Sequence, residues 1–422
     1  MDPNSSDFGS LTSYIIQLNS AVKDRSGLRL ECLLSLTNSR KNPSLSRLVS
    51  AGLLRPANQQ QAQRDGLEIQ QSVQRSWIDT VQEFWRTAHY LKSAETAQEA
   101  FDHCLATVQA IVKGFTTWDA WVLPVLFSAC RDVRVLAIRA DAQCASRGDK
   151  AENLEEAARI INKAFTICIT DRAPMESSRK WGTYCVIGIL FRTYFKLNKL
   201  SLTKNVLRAV EVSELPDLSF FPKAHVVTWK YYLGVIAFMN EDYTKAETEL
   251  SDALAKCTRD AKRNMELILS YLIPTHLMTS RKIPSIALLR QFPSLSALYT
   301  PTIVALRSGN VAAYDRALLR NEADFIRRRT YLTLERARDL CIRSLFRKIW
   351  IASDRATRIP LRKFMVGMNM GLNDQSEGWV DEEEAECFLA NMIYKKFVKG
   401  YISRERGMVV LSANDPFPRV CR

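Results

Sequence analysis

The stretch Tyr232-Leu233-Gly234, Ala237-Phe238, Asp242-Tyr243, Ala246, Leu250 and Ala253-Leu254 reads as two helices folded back on each other. Gly234 lets the two backbones approach closely, and Asp242 starts the second helix. Ala246, Leu250, Ala253 and Leu254 recur at three and four residues, so they share one buried stripe. A hairpin of this kind cannot bury its stripe alone, and its neighbours must cover it.

Neighbours are present on both sides. Trp181 to Phe195, Leu202 to Val212, Pro222 to Phe238, Asp242 to Cys257, Ala261 to Thr279 and Pro284 to Phe292 are helix-length runs separated by Pro, Gly, Asn or Asp. Upstream, Leu154, Ala157, Ile160, Ile161, Ala164 and Phe165 repeat at helical spacing, and Asp171-Arg172-Ala173-Pro174 ends that helix. The spacing predicts a mainly α protein with a tetratricopeptide-like α-helical solenoid over residues 76–330. Residues 1–75 are expected to form an N-terminal arm, with one amphipathic helix over Leu11 to Val22 and a Gln-rich linker over Pro56 to Gln74.

After residue 331 the pattern changes. A helix over Leu332 to Trp350 leads to a short strand at Arg358-Ile359-Pro360-Leu361, a helix over Leu361 to Met370 and another over Asp381 to Phe397. Ala385, Phe388, Leu389, Met392, Ile393 and Phe397 make one apolar face of that last helix. Two strands follow, Tyr401-Ile402-Ser403 and Met408-Val409-Val410-Leu411, joined by Arg404-Glu405-Arg406-Gly407. This order predicts a C-terminal winged helix over residues 331–422.

Composition narrows the function classes. The 422 residues suffice for two or three units with a buried core, and only 15 glycines speak against a β-rich or nucleotide-cradling fold. The longest apolar runs, such as Trp121 to Ala129, fall far short of the roughly 20 residues that span a bilayer, so no membrane span is expected. Met1 to Ser10 has no basic lead before an apolar core, so no secretory signal is expected. Ten cysteines stand singly without C-x-x-C spacing, which predicts reduced thiols and no zinc site. The net charge of +14 attracts polyanions, whether nucleic acid, an acidic membrane surface or an acidic protein segment.

The strongest local charge signal is Lys395, Lys396, Lys399, Arg404 and Arg406. From residue 387 onward seven basic residues face two acidic ones, a balance of +5. Helix end and wing tip are expected to converge there, for phosphate binding, for a partner's winged helix, or as a solvated surface. No set of base-reading side chains accompanies them, so contacts with nucleic acid would be sequence-independent. Arg327-Arg328-Arg329, Arg336 and Arg343 would extend the patch or pair with nearby acids. Arg362 and Lys363 lack close sequence acids and are the better candidates.

Asp381-Glu382-Glu383-Glu384 suits the start of a helix better than a metal site, because adjacent acids point around the axis. Ser201-Leu202-Thr203-Lys204 fits S-x-x-K without its companion motifs, and Ser201 is expected to cap a helix. The four histidines form neither a triad nor a metal cluster by spacing, and no Walker or dinucleotide glycine pattern is present. No catalysis, cofactor or metal is expected. Trp181, Tyr184, Tyr194, Trp229, Tyr231 and Tyr232 fall at helical spacing and read mostly as core. Lys180, Lys196, Lys199, Lys204 and Lys230 would face an acidic protein segment lying across the solenoid.

Ser178-Arg179-Lys180-Trp181-Gly182, Tyr231-Tyr232-Leu233-Gly234, Tyr271-Leu272-Ile273-Pro274, Tyr331-Leu332-Thr333-Leu334-Glu335, Ile393-Tyr394, Val398-Lys399-Gly400-Tyr401-Ile402-Ser403 and Pro416-Phe417-Pro418 occur in order. Across residues 76 to 418 the chain resembles the PCI-domain family, in the branch of the nuclear mRNA-export subunit and its signalosome-twelve-like paralogue. Leu123-Pro124, Arg131-Asp132-Val133-Arg134, Arg179-Lys180-Trp181 and Asn240-Glu241-Asp242-Tyr243 resemble the fungal signalosome-twelve-like side. The resemblance implies a non-catalytic scaffold. It would pair with a second PCI subunit through the winged helix, at Tyr401, Ile402, Met408 and Val410, and be braced by a small acidic peptide of the proteasome-lid type. The pair would bind RNA or double-stranded DNA in transcription, splicing or mRNA export, in the nucleus with the cytoplasm as a second location. A purely structural adaptor in a signalosome or proteasome-lid-like assembly is the alternative.

Overall fold

The computed structural model describes residues 11–36, 73–91, 94–372 and 379–418, and these are mainly helical with one small sheet. The chain divides into two compact units, residues 1–229 and 230–422.

In the first unit the helices are α1 (Leu11–Lys23), α2 (Gly27–Leu33), α3 (Ile78–Tyr90), α4 (Ala97–Gly114), α5 (Leu123–Arg147), α6 (Asn153–Ile169), α7 (Thr183–Lys196) and α8 (Ser201–Val212). From α3 to α8, each helix packs on the next. The stripe expected in α6 is buried, with Ala157 and Ile161 fully inside. The helix expected over residues 11–22 is α1, and it does not head a detached arm. Tyr14, Ile15 and Leu18 are buried, the Tyr14 hydroxyl donates to the Leu33 carbonyl at 3.0 Å, and the Leu36 N–H donates to Asp132 Oδ2 on α5 at 2.9 Å. Burying those apolar side chains and satisfying that N–H holds α1 and α2 to the unit. Most of the Gln-rich linker, through residue 72, lies outside the described residues.

Two connections show how sequence sets geometry here. After α6, the Asp171 carboxylate accepts from Ser178 Oγ at 3.0 Å, from the Arg179 N–H at 2.7 Å and from Arg179 Nη2 at 2.6 Å. The turn before α7 is therefore built on a buried charge. Ser201, expected as a cap, is instead the first residue of α8. Leu200 holds the capping position, where its apolar side chain has no oxygen to accept an N–H, and its carbonyl accepts from Thr203 Oγ1 at 2.6 Å.

The long helix α9 (Lys223–Met239) runs through the boundary at residue 229 and delivers the hairpin read first in the sequence. It continues with α10 (Tyr243–Lys256), capped by Asp242 Oδ1, which accepts the Lys245 N–H at 3.1 Å. A Cβ at Gly234 would stand 2.6 Å from Leu250 Cγ, so the close approach expected there is real. Next come α11 (Lys262–Met278), α12 (Ile286–Arg290), α13 (Pro293–Ser308), α14 (Val311–Arg320), α15 (Glu322–Arg327), α16 (Tyr331–Arg336) and α17 (Arg338–Ala352). The single helix expected over Leu332 to Trp350 is divided at Ala337 into α16 and α17.

The end of the chain is β1 (Arg358–Pro360), α18 (Leu361–Leu372), α19 (Glu382–Tyr394), β2 (Gly400–Ser403) and β3 (Met408–Leu411). The sheet has the order β1-β3-β2 and is antiparallel throughout. With α17 in front, this is a winged helix. Its core holds Phe346, Ile359, Phe364, Leu389 and Val409, all fully buried. Asn369 ties α18 to the start of α19: its Nδ2 donates to the Val380 carbonyl at 3.0 Å, and its Oδ1 accepts the Val380 N–H at 2.8 Å. α19 stops at Tyr394, short of the expected Phe397, because Lys396 turns into the left-handed region at φ 59°. Phe397 is still buried, beneath the turn.

Candidate nucleic-acid and partner interface

Asp381 caps α19 by accepting the Glu384 N–H at 2.8 Å, so the acidic run starts the helix as its sequence suggests. Ala385, Leu389 and Met392 face the core. The opposite, outward face carries Glu383, Glu384, Cys387, Ala390, Asn391 and Tyr394, all exposed. It bears acids at its start and no cation.

The hairpin β2–β3 folds back alongside α19. Its tip therefore returns to the beginning of the helix, where Arg404 lies 3.9 Å from Glu383 and 3.6 Å from Glu386. Lys395 and Lys396 sit at the other end, 12 to 13 residues from Glu383, or about 20 Å at 1.5 Å per residue. Helix end and wing tip do not converge. The five cations expected as one patch form two, separated by the length of α19.

At the helix end, Lys395 donates to Asp339 Oδ2 at 2.7 Å in a surface ion pair. Lys396 and Lys399 are exposed and have no ion-pair partner among the described residues. At the wing end, Arg404 is engaged by the two glutamates, whereas Arg406 is exposed and unpaired among the described residues. Arg362 and Lys363 join this second group through the backbone, since the Leu361 N–H donates to the Gly407 carbonyl at 2.8 Å. Both side chains are exposed and, with Lys348 of α17, line a groove of about 870 Å³ whose walls include Leu345, Ile349 and Val366.

The residues expected at a partner interface divide by strand register. Tyr401 stands opposite Val410, and Ser403 opposite Met408, so Tyr401, Met408 and Val410 share the outer face of the sheet. Arg358, opposite Val410 on the other side, joins them. Ile402 pairs with the fully buried Val409 and faces the core, so it is not on that surface. β2 is one of the two sheet edges, β1 being the other, and Tyr401 on it is 62% exposed.

The arginine track does not extend the patch. Arg327 pairs with Asp324, Arg336 holds Glu241 with two bonds of 2.9 Å, and Arg343 donates to the Phe417 and Pro418 carbonyls at 2.8 and 2.9 Å. Of the five lysines expected to face an acidic peptide, Lys180 donates to the Glu214 carbonyl and Lys199 pairs with Glu155. Burial alone would lower the pKa of Lys230, but Glu249 at 2.8 Å and Asp252 at 3.4 Å hold it above its ordinary value. The aromatic residues Tyr184, Tyr194, Trp229 and Tyr232 are core, as their spacing implies. Sequence reading missed Arg358 and Tyr394. A strand register reveals the first, and a helical wheel of residues 382–394 reveals the second.

Helical hairpins that run into a winged helix define a scaffold-type architecture, and comparison with known proteins agrees. The PCI domain pattern matches residues 318–413. A CSN12 homolog from Schizosaccharomyces pombe is 42% identical over 366 residues, covering 84% of this chain and 85% of its own length. One from Neurospora crassa is 38% identical over 382 residues, covering 81% and 84%. PCI domain-containing protein 2 from Xenopus laevis is 33% identical over 325 residues, covering 76% and 79%. The chain belongs to the PCI-domain family, in the branch that holds the CSN12 homologs and PCI domain-containing protein 2.

Proposed function

We propose that this PCI scaffold subunit is non-catalytic and pairs with a second PCI protein through the outer sheet face and free edge of its winged helix. A small acidic peptide braces it, and the assembly holds RNA or double-stranded DNA during transcription-coupled mRNA processing and export in the nucleus. The observation that carries the nucleic-acid reading is the set Lys396, Lys399 and Arg406, exposed and unpaired among the described residues at the two ends of α19. Cations that no neighbouring carboxylate neutralises are those that can release counterions from phosphate. Tyr401, Met408 and Val410 offer an apolar strip beside an open strand edge, which suits strand-by-strand pairing with another sheet.

A structural adaptor of a signalosome-like assembly, without nucleic acid, is the second reading. It is favoured by Lys395 and Arg404, whose charges are already met by Asp339, Glu383 and Glu386.

Charge reversal of Lys396, Lys399 and Arg406 to Glu separates the two. On the nucleic-acid reading, the complex assembles normally, and the plot of log affinity against log salt for fluorescent RNA or duplex DNA becomes shallower by about three. Unchanged affinity with failed assembly assigns these residues to the partner interface and supports the adaptor.

A further inference from the structure

Tyr394 ends α19 and is 85% exposed, and no ring, hydrogen-bond or ion-pair partner engages it among the described residues. A tyrosine at the end of a helix commonly lays its ring on the core and leaves only the hydroxyl wet. Here the core position is taken by Phe397, which is buried under the turn and covered by the Arg281 guanidinium 3.9 Å from its ring centroid. Tyr394 is thus left outward, two and five residues before the exposed Lys396 and Lys399, while Lys395 is held by Asp339. Asn391, three residues earlier, is its neighbour on the same exposed face.

The charge along α19 selects what can lie there. A duplex that took this helix into its major groove would set phosphates against Glu383 and Glu384, with no cation on the outward face to offset them. The other end of the helix has the reverse character: a bare aromatic ring, an amide and two unpaired lysines. A flat ring flanked by cations is the arrangement on which unpaired bases stack while the backbone runs over the charges.

Resting on the nucleic-acid reading above, we infer that the end of α19 is a single-strand site, with a base stacked on Tyr394, the Asn391 amide at that base's edge, and the flanking phosphates on Lys396 and Lys399. Preference for single-stranded over duplex nucleic acid follows, and sequence preference is weak because every base offers a stacking face.

The test uses the full chain, a fluorescein-labelled 20-nucleotide oligo(U) and a 20-base-pair duplex DNA. Tyr394→Ala is expected to weaken oligo(U) binding about tenfold or more, to leave duplex binding and the salt slope unchanged, and to be rescued by Tyr394→Phe. Tyr394→Trp is expected to show indole quenching on adding oligo(U) and none on adding duplex. If Lys396→Glu with Lys399→Glu weakens oligo(U) binding while Tyr394→Ala does not, stacking is overturned and the phosphate site stands. If neither variant changes binding, the strand is held elsewhere and the inference is overturned, whereas failure of the unaltered protein to bind either oligo(U) or duplex overturns the nucleic-acid reading itself. If Tyr394→Ala abolishes pairing with the second PCI protein and leaves oligo(U) binding intact, the ring belongs to the protein interface and the inference is overturned.

Discussion

Arg179→Ala destabilises the first unit by about 3–5 kcal/mol, the usual cost of stripping the partner from a buried charge. The Asp171 side chain is 1% exposed and the Arg179 side chain 19%, so neither charge has bulk water to fall back on. Arg179 also donates to the Phe115 carbonyl, which joins the turn before α7 to the end of α4. Burial pushes the Asp171 carboxyl pKa up, but the Arg179 side chain and N–H and the Ser178 hydroxyl outweigh it and bring it down to about 2. An unfolded aspartate titrates near 3.9, so the native state gains from this carboxylate above pH ~4 and loses the gain as pH falls to about 2. The loss is about 2 kcal/mol over that window. Urea denaturation followed by helical circular dichroism checks both statements. In Asp171→Asn the low-pH decline should flatten, and equal decline in both proteins would show that another group causes it.

Gly309→Val costs about 3 kcal/mol or more, and it does so for two separable reasons. Gly309 ends α13 in the left-handed region at φ 68°, where a side chain is strained. A Cβ there would also stand 2.6 Å from Leu345 N and 2.8 Å from Leu345 Cα, both backbone atoms of α17 that no rotamer change can move. Gly148, at φ 80° with nothing within 4 Å of its Cβ position, has the strain without the clash. Gly148→Val should therefore cost only about 1–2 kcal/mol. Thermal unfolding of the two variants side by side measures the difference, and equal melting temperatures would show that α17 yields at little cost.

Features set by neighbours in sequence were legible without coordinates. Asp242 as a cap, Gly234 as a close approach, Asp381 at the start of α19 and Arg404 to Gly407 as the wing depend on residues within a few positions of one another or on a simple period. The charge state of the interface was not legible, because it depends on long-range pairs. Lys395 meets Asp339 from 56 positions away, and Arg404 meets Glu383 and Glu386 only because the hairpin folds back along α19. The same fold-back separates helix end from wing tip, which a linear list of cations between 395 and 406 presents as one cluster. Ile402 was misplaced for a smaller reason: a strand alternates faces, and only the pairing with Val409 shows which face is inward.

The outward face of α19 also carries a chemical handle. Cys387 is the one exposed thiol among the described cysteines, while burial pushes Cys168 and Cys341 to about 12 and Cys185 to about 11, leaving them scarcely any thiolate at neutral pH. A maleimide dye carried on Cys387 sits two turns before Tyr394, midway between the two cationic ends, where its emission reports which of them a bound strand or subunit covers.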